Sequence, residues 1–371
     1  MNQPSNKTKN KKRIFLAAGG TGGTTVPLVS VWEELKKIFP HAEYYFLLSD
    51  TAFDRDMAKS YKMDAEYLPV AKLRRYFDIR NILLPIVLLI SLIKSIRIFF
   101  SFRPHVVVGA GSFVQVPAVF ASKLFGSKIL LHQQDVKPSL SNRICNRLAD
   151  VMTVTLPISQ NDFSTTFFAF DLDKLKSKVV VTGNPVRINS KLSKEEAYKN
   201  LKADPAYPTI FVMGGGTGSL ALNEFIESNL PELLKSFNVV HSTGGRSAYN
   251  RKHARYIARD YFTDTSSCYA ASDFVICRSG MSTISELSYL GKMAIIVPIP
   301  RSQQEENAWY LDGSKSAIVL EQEELGRVDL VKMLKYLLHK PQVAEKYKQS
   351  IKKLMPKNSA HLIAVEISKL L

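Results

Sequence analysis

Residues Ile14-Phe-Leu-Ala-Ala-Gly-Gly-Thr-Gly22 return almost unchanged as Ile210-Phe-Val-Met-Gly-Gly-Gly-Thr-Gly218, with six of nine residues identical at a spacing of 196. Each copy is a short apolar strand that breaks into glycines. Glycine permits a tight turn, and its missing side chain lets main-chain N–H groups and the start of a following helix approach an anion. One such loop is equally well explained as a tight strand-to-helix connection. Two related loops in one chain imply two nucleotide-fold halves and favour a binding role for the pair.

Outward from these loops, apolar runs alternate with amphipathic stretches. Strands are expected at Ile14 to Ala18, Tyr44 to Leu48, His105 to Val108, Lys128 to Leu131, Val179 to Val181, Thr209 to Met213, Phe274 to Cys277 and Ala294 to Val297. That alternation predicts an α/β chain of two Rossmann-like, doubly wound parallel-sheet domains facing a cleft. A length of 371 residues, about twice a typical domain, agrees. The join is expected near Gly183-Asn-Pro-Val-Arg187. This gives domains 1–186 and 187–356, with 357–371, mostly a final helix, packing back on the first.

Fifty Lys and Arg against 33 Asp and Glu give a formal charge of +17, which favours an anionic partner such as nucleic acid, an acidic lipid surface or a phosphorylated substrate. Cys145, Cys268 and Cys277 are widely spaced and read as buried reduced thiols. The basic start, Asn6 to Arg13, precedes only five apolar residues before the glycines, too few for a secretory signal, so a cytoplasmic location is expected.

The first loop fails the dinucleotide fingerprint, because the third glycine of G-x-G-x-x-G falls on Thr25; Asp50, at the end of the second strand, is the ribose-binding acid that fingerprint would need. Arg278-Ser-Gly-Met-Ser-Thr-Ile-Ser-Glu286 follows an apolar strand, so its small polar run should cap a helix whose first-turn N–H groups form a diphosphate seat. An anion gains about 0.3–1 kcal/mol at such an end, so several amides must act together. Glu286 is placed to accept from ribose hydroxyls, or is simply an exposed helix carboxylate. Gln303, Gln304 and Asn307 put uncharged amides at another helix start, where they can bind sugar hydroxyls or only begin the helix. Asp54-Arg-Asp56 and Asp171-Leu-Asp173 read as solvated acids, so no metal is expected. Ile82 to Ile93 is strongly apolar but too short to cross about 30 Å of hydrocarbon. Flanked by Lys72, Arg74, Arg75, Arg80, Lys94, Arg97 and Arg103, it suits a helix packed inward on one face and touching an anionic leaflet around 74–90.

Together these residues resemble the MurG family of glycosyltransferases over nearly the whole chain. The resemblance rests on Gly19-Gly-Thr-Gly-Gly23 with Pro27, Val106-Val-Val-Gly-Ala-Gly111, Leu131-His-Gln-Gln134, Thr182-Gly-Asn-Pro-Val-Arg187, Gly214-Gly-Gly-Thr-Gly218 with Leu222-Asn223, Cys277-Arg-Ser-Gly280 with Ser285-Glu286, and Gln303-Gln304 with Asn307. It implies an inverting, metal-independent N-acetylglucosaminyltransferase of the two-Rossmann GT-B architecture, without a cofactor and without a nucleic-acid partner. The implied donor is UDP-N-acetylglucosamine, held mainly by the second domain. Glu286 would lie on the ribose, the amides of Met281, Ser282, Thr283 and Ile284 on the diphosphate, and Gln304 on the sugar. Ser285, Gly216, Thr217, Thr263, Arg187 and Asp135 complete the implied donor set. Thr21, Gly22 and Gly23 would meet undecaprenyl-pyrophosphoryl-muramyl-pentapeptide, the implied acceptor, at an anionic membrane surface contacted through residues 72–103 on the cytoplasmic face. The family loop ends in His where this chain has Thr24, which leaves His132 or Asp135 as the expected general base. A nucleotide-sugar-binding pseudoenzyme, and a related transferase with another lipid acceptor, are the alternatives; a nicotinamide oxidoreductase is more distant.

Overall fold

In the computed structural model, residues 11–20, 22–69, 84–159, 179–188, 191–216, 218–245 and 253–371 are described. Two compact units emerge: residues 1–185 with 358–371, and residues 186–357.

The first unit contains β1 (Arg13–Ala17), α1 (Gly22–Ile38), β2 (Glu43–Ser49), α2 (Ala52–Tyr61), β3 (Ala65–Leu68) and α3 (Leu84–Phe102). These are followed by β4 (Val106–Gly109), α4 (Gln115–Leu124), β5 (Lys128–Gln133), α5 (Leu140–Cys145), β6 (Val151–Val154) and β7 (Val179–Val181). All strands pair in parallel, in the order β3-β2-β1-β4-β5-β6-β7. The period of two along β1 explains why it is apolar throughout. Ile14 and Leu16 enter one core layer with Leu28 and Leu35 of α1, whereas Phe15 and Ala17 enter the opposite layer with Ile98 and Phe99 of α3.

The second unit runs α6 (Lys194–Leu201), β8 (Thr209–Met213), α7 (Leu220–Leu233), β9 (Asn238–Ser242), β10 (Tyr256–Arg259), α8 (Ser266–Ala271) and β11 (Phe274–Cys277). It ends with α9 (Met281–Leu290), β12 (Ala294–Ile296), α10 (Gln303–Gly313), β13 (Ile318–Val319), α11 (Leu330–His339) and α12 (Pro341–Lys352). Its parallel sheet has the order β10-β9-β8-β11-β12-β13. The last helix, α13 (Ser359–Ser368), returns to the first unit and seats Ile363, Ala364 and Ile367 in the layer that holds α1.

In each unit strand order reverses beside the strand carrying the repeat: between β1 and β4, and between β8 and β11. Ligands of open α/β sheets bind at the carboxyl ends of strands on either side of such a reversal.

Two sequence expectations change. The apolar segment is not a 12-residue run but part of a 19-residue helix: Ile96, Ile98, Phe99, Phe100 and Phe102 continue it beyond Ile93, and Pro85 sits in the first turn, where its missing N–H costs nothing. At about 28 Å, α3 is long and apolar enough to cross a membrane by length and composition. One face of α3 nevertheless packs on the sheet through Ser91, Ser95, Ile98 and Phe99, while Ile86, Leu89, Ile90, Ile93 and Phe100 are exposed. The second change is Asp54, expected in solvent but wholly enclosed, because it lies beneath the first glycine loop. Residues 72–83 of the basic flank, and Asp171 and Asp173, lie outside the described residues.

Candidate functional site

In the second unit β8 ends in Gly214-Gly-Gly216, and Gly218 turns the chain into α7. Gly218 has φ +67°, and a Cβ there would lie 2.7 Å from the carbonyl oxygen of Thr243, so glycine is required twice over. Ser219 caps α7 by accepting the N–H of Leu222 at 3.3 Å. Arg278, at the end of β11, fixes this cap from below. Its Nε and Nη2 donate to Ser219 Oγ at 3.0 and 2.6 Å, its Nη1 to the carbonyls of Val297 and Pro298 at 3.1 and 2.8 Å, and its Nη2 also to Gln322 Oε1 at 2.7 Å. The guanidinium therefore joins the ends of β8, β11 and β12 into one rigid edge.

The helix expected after β11 is present as α9. Gly280, not a serine, occupies the N-cap and brings no side chain to the helix end. The first intrahelical bond is that from Ile284 N to the Gly280 carbonyl at 3.0 Å, so the amides of Met281, Ser282 and Thr283 precede it. Met281, Ile284 and Ser285 turn their side chains into the core, and Ser285 Oγ donates to the Met281 carbonyl at 2.6 Å. Among these, only Ser282 and Thr283 have partly exposed side chains, so an anion at this end meets main-chain N–H groups and two hydroxyls.

Glu286 lies on the next turn. It is partly buried, and the hydroxyl of Tyr269, from α8, donates to its Oε2 at 2.7 Å. Burial pushes the carboxyl pKa up to about 7, and the tyrosine hydrogen bond opposes that rise. Tyr269 is itself enclosed and stacks edge-on to Phe211.

The start of α10 adjoins the start of α9. Asn307 is buried and donates to the Ser279 carbonyl at 3.0 Å, while Ser279 Oγ donates to the Gln304 carbonyl at 2.8 Å. Gln304 Oε1 accepts the N–H of Ile299 at 3.3 Å, which holds the amide near Gly280. Asn307 is thus a tie that shapes the Ser279-Gly280 turn, whereas Gln303 and Gln304 remain partly exposed. Thr263 is exposed on the loop before α8, and Arg187 is exposed where the second unit begins. Thr217 and Thr21 lie outside the described residues.

In the first unit Gly22 and Gly23 open α1. Thr24 folds back onto the turn: its hydroxyl donates to the Gly19 carbonyl at 3.1 Å and accepts the Gly19 N–H at 3.4 Å. Asp50 is committed to an exposed pair with Arg55 at 2.6 Å. His132 is 1% exposed, with Nδ1 3.0 Å from Thr153 Oγ1 and Nε2 3.1 Å from Asn184 Oδ1. Burial lowers its pKa to about 4 against the effect of these bonds. A ring sealed in this way ties β5 to β6 and to the Gly183-Asn184 turn and does not meet an incoming hydroxyl. Asp135, three residues on, is partly exposed in the loop after β5. The second unit repeats the tie: His241 Nε2 lies 3.1 Å from Asn223 Oδ1 and its Nδ1 3.0 Å from the Tyr256 hydroxyl. Among the described residues no group of three or more His, Cys, Asp or Glu side chains gathers. The three cysteines are free and buried.

Sequence reasoning missed Asp54 and Tyr269 and gave Arg278 no task of its own. Only Arg278 left a signal, a charged residue directly after a buried apolar strand. The partners of the other two come from distant elements or through a fold-back.

Residues 14–154 match the glycosyltransferase family 28 N-terminal domain, and residues 209–363 match the glycosyltransferase family 28 C-terminal domain. The chain is 27% identical to a protein of Alkaliphilus oremlandii, covering 97% of this chain and 99% of the relative. It is 29% identical to one of Clostridium tetani, covering 97% and 98%. Both relatives are named UDP-N-acetylglucosamine–N-acetylmuramyl-(pentapeptide) pyrophosphoryl-undecaprenol N-acetylglucosamine transferase. Among solved structures, Acinetobacter baumannii MurG superposes with a TM-score of 0.70 at 22% identity, over 96% of this chain and 99% of that one. A UDP-N-acetylglucosamine 2-epimerase superposes with a TM-score of 0.67 at 14% identity, over 96% of each chain. The fold is therefore shared with a different chemistry, and it is the sequence match that separates them. With both of its domains matched in order, the chain belongs to glycosyltransferase family 28.

Proposed function

We propose that this protein transfers N-acetylglucosamine from UDP-N-acetylglucosamine to the 4-hydroxyl of lipid-linked N-acetylmuramyl-pentapeptide, with inversion at the anomeric carbon and without a metal ion. The observation that carries the reading is the α9 start. There three early amides and two small hydroxyls precede Glu286, whose carboxylate accepts from a buried tyrosine. This arrangement fits a nucleoside diphosphate, with the pyrophosphate on main-chain N–H groups and a ribose diol on the carboxylate. As the glycosidic bond breaks, negative charge grows on the leaving diphosphate, and preorganised N–H groups stabilise it without reorganisation. Gln303 and Gln304, beside that turn, would hold the sugar.

The first unit would hold the acceptor at Thr21, Gly22 and Gly23. With His132 enclosed, the proton of the attacking hydroxyl would pass to Asp135. The apolar outer face of α3, followed by Lys94 and Arg97, would rest on the anionic inner leaflet where such an acceptor resides. Incubation with UDP-N-acetylglucosamine labelled in the sugar and a short-chain lipid-linked acceptor tests the reading. The expected result is labelled lipid and one UDP per turnover. A nucleotide-sugar-binding protein without transfer activity is the alternative, favoured by Thr24 standing where the family has histidine; it would bind the donor and release no UDP.

A further inference from the structure

The side chain of Asp54 is wholly enclosed beneath the first glycine loop. Its Oδ2 accepts the N–H of Gly20 at 2.8 Å and also the hydroxyl of Ser49. Its Oδ1 is buried with no hydrogen-bond partner among the described residues. Thr51 caps α2 and accepts the N–H of Asp54 at 3.3 Å, fixing the backbone that carries this carboxylate. On the other side of the turn, the Thr24 hydroxyl holds both the N–H and the carbonyl of Gly19. No room is left between them. A Cβ on Gly19 would lie 2.7 Å from Asp54 Oδ2 and 2.7 Å from Ser49 N, at a φ of +127° that side chains rarely adopt.

Enclosing a carboxyl group and leaving one oxygen unpaired costs stability, so packing alone does not account for it. The arrangement does have a geometric effect. It uses up the Gly20 amide and fixes the Gly19-Gly20 turn ahead of α1, whose first residues are Gly22 and Gly23. We propose that Asp54 is a positioning residue for the acceptor. It locks the Gly19-Gly20 turn so that the opening amides of α1 are presented to the acceptor diphosphate, and it withholds the Gly20 amide from that anion. This rests on the acceptor assignment made above for the first unit.

The test uses the full chain, UDP-N-acetylglucosamine and the short-chain lipid-linked acceptor. Turnover by the unaltered protein is measured first, and its absence would overturn the acceptor assignment and this inference together. Asp54→Ala should then raise the acceptor KM at least tenfold, while donor affinity measured by calorimetry stays within twofold. Asp54→Asn keeps an oxygen for the Gly20 N–H and should recover most of the loss. Gly19→Ala, which pushes the carboxylate away, should reproduce Asp54→Ala. If Asp54→Ala does not fold, Ser49→Ala decides, since it leaves the carboxylate and removes one of its donors; an acceptor KM about threefold higher at unchanged donor affinity is expected. An unchanged acceptor KM, or donor and acceptor parameters worsening in parallel as in general loosening, overturns the inference.

Discussion

The hydroxyl of Tyr269 donates to Glu286 Oε2 at 2.7 Å, so one carboxylate oxygen is pinned within the second unit, and in the proposed donor complex the other would face the ribose. A pinned acceptor binds a diol without losing rotamer freedom, and this is the physical content of preorganisation. Tyr269→Phe should raise the donor KM about tenfold with kcat within twofold. The lost bond is one to a charged group, of about 1.5–3 kcal/mol, part of which water can replace.

The same pair sets a pH dependence. A carboxylate accepts both ribose hydroxyls, whereas the protonated acid does not, and the Glu286 pKa is pushed up to about 7 by burial. Donor affinity should therefore strengthen as pH rises through about 7 and level off above it. In Tyr269→Phe the midpoint should move to higher pH, because the hydrogen bond that restrains the rise is gone. A flat affinity between pH 6 and 8 in the unaltered protein would contradict this.

Glu286 should also cost stability. Its folded pKa lies above the unfolded value, so between roughly pH 4.5 and 7 the folded state binds more protons and stability falls as pH rises, remaining reduced above 7. Glu286→Gln should melt higher than the unaltered protein at pH 8 and show little difference at pH 5, while donor affinity drops about tenfold or more.

His132 and His241 act in the opposite sense. Each is buried with its pKa lowered to about 4 by desolvation, so the unfolded chain takes up protons first as pH falls below about 6.5. Stability tied to these rings is complete above pH 6.5 and lost towards pH 4, on the order of 2–3 kcal/mol per ring. In His241→Gln the fall in melting temperature between pH 7 and 5 should be shallower than in the unaltered protein, measured by calorimetric scans.

Arg278 has no substitute of equal reach. Arg278→Lys cannot serve Ser219, two carbonyls and Gln322 together, so buried acceptors go unpaired. A loss of about 3 kcal/mol in stability by urea titration is expected. Donor affinity should weaken at least tenfold, since the same contacts hold the edge from which α9 starts.

For α3, Leu89→Glu with Ile93→Glu places charge on the exposed apolar face. Sedimentation with anionic vesicles should fall severalfold while UDP-N-acetylglucosamine affinity in solution is unchanged.

Much of this architecture was legible because central parallel strands are apolar on both faces and the two glycine turns recur. Eight strands announced themselves in that way. Five did not, for reasons visible in their residues. The edge strands β3, β10 and β13 are short or half polar, as in Ala65-Glu-Tyr-Leu68 and Tyr256-Ile-Ala-Arg259. The inner strand β9 carries His241, and β6 carries Thr153, each a buried polar side chain whose partner lies elsewhere in the sequence. The start of α9 was legible from small polar residues after a strand. Which residue of that run caps the helix was not legible: Gly280 does, while Ser279 Oγ donates to the Gln304 carbonyl. Asp54 and Tyr269 were not legible, since local spacing marks the first as a helix-surface acid and the second as core, and only the folded chain brings them to Gly20 and Glu286.

The central claim is that main-chain N–H groups at the start of α9, with Glu286, receive a uridine diphosphate sugar and need no ion. Calorimetric titration of the full chain with UDP-N-acetylglucosamine, once in excess EDTA and once in millimolar magnesium, tests it most directly. The predicted result is one site per chain with the same affinity in both buffers, lost in Glu286→Ala. Binding that appears only with magnesium, or that survives Glu286→Ala undiminished, would contradict the account.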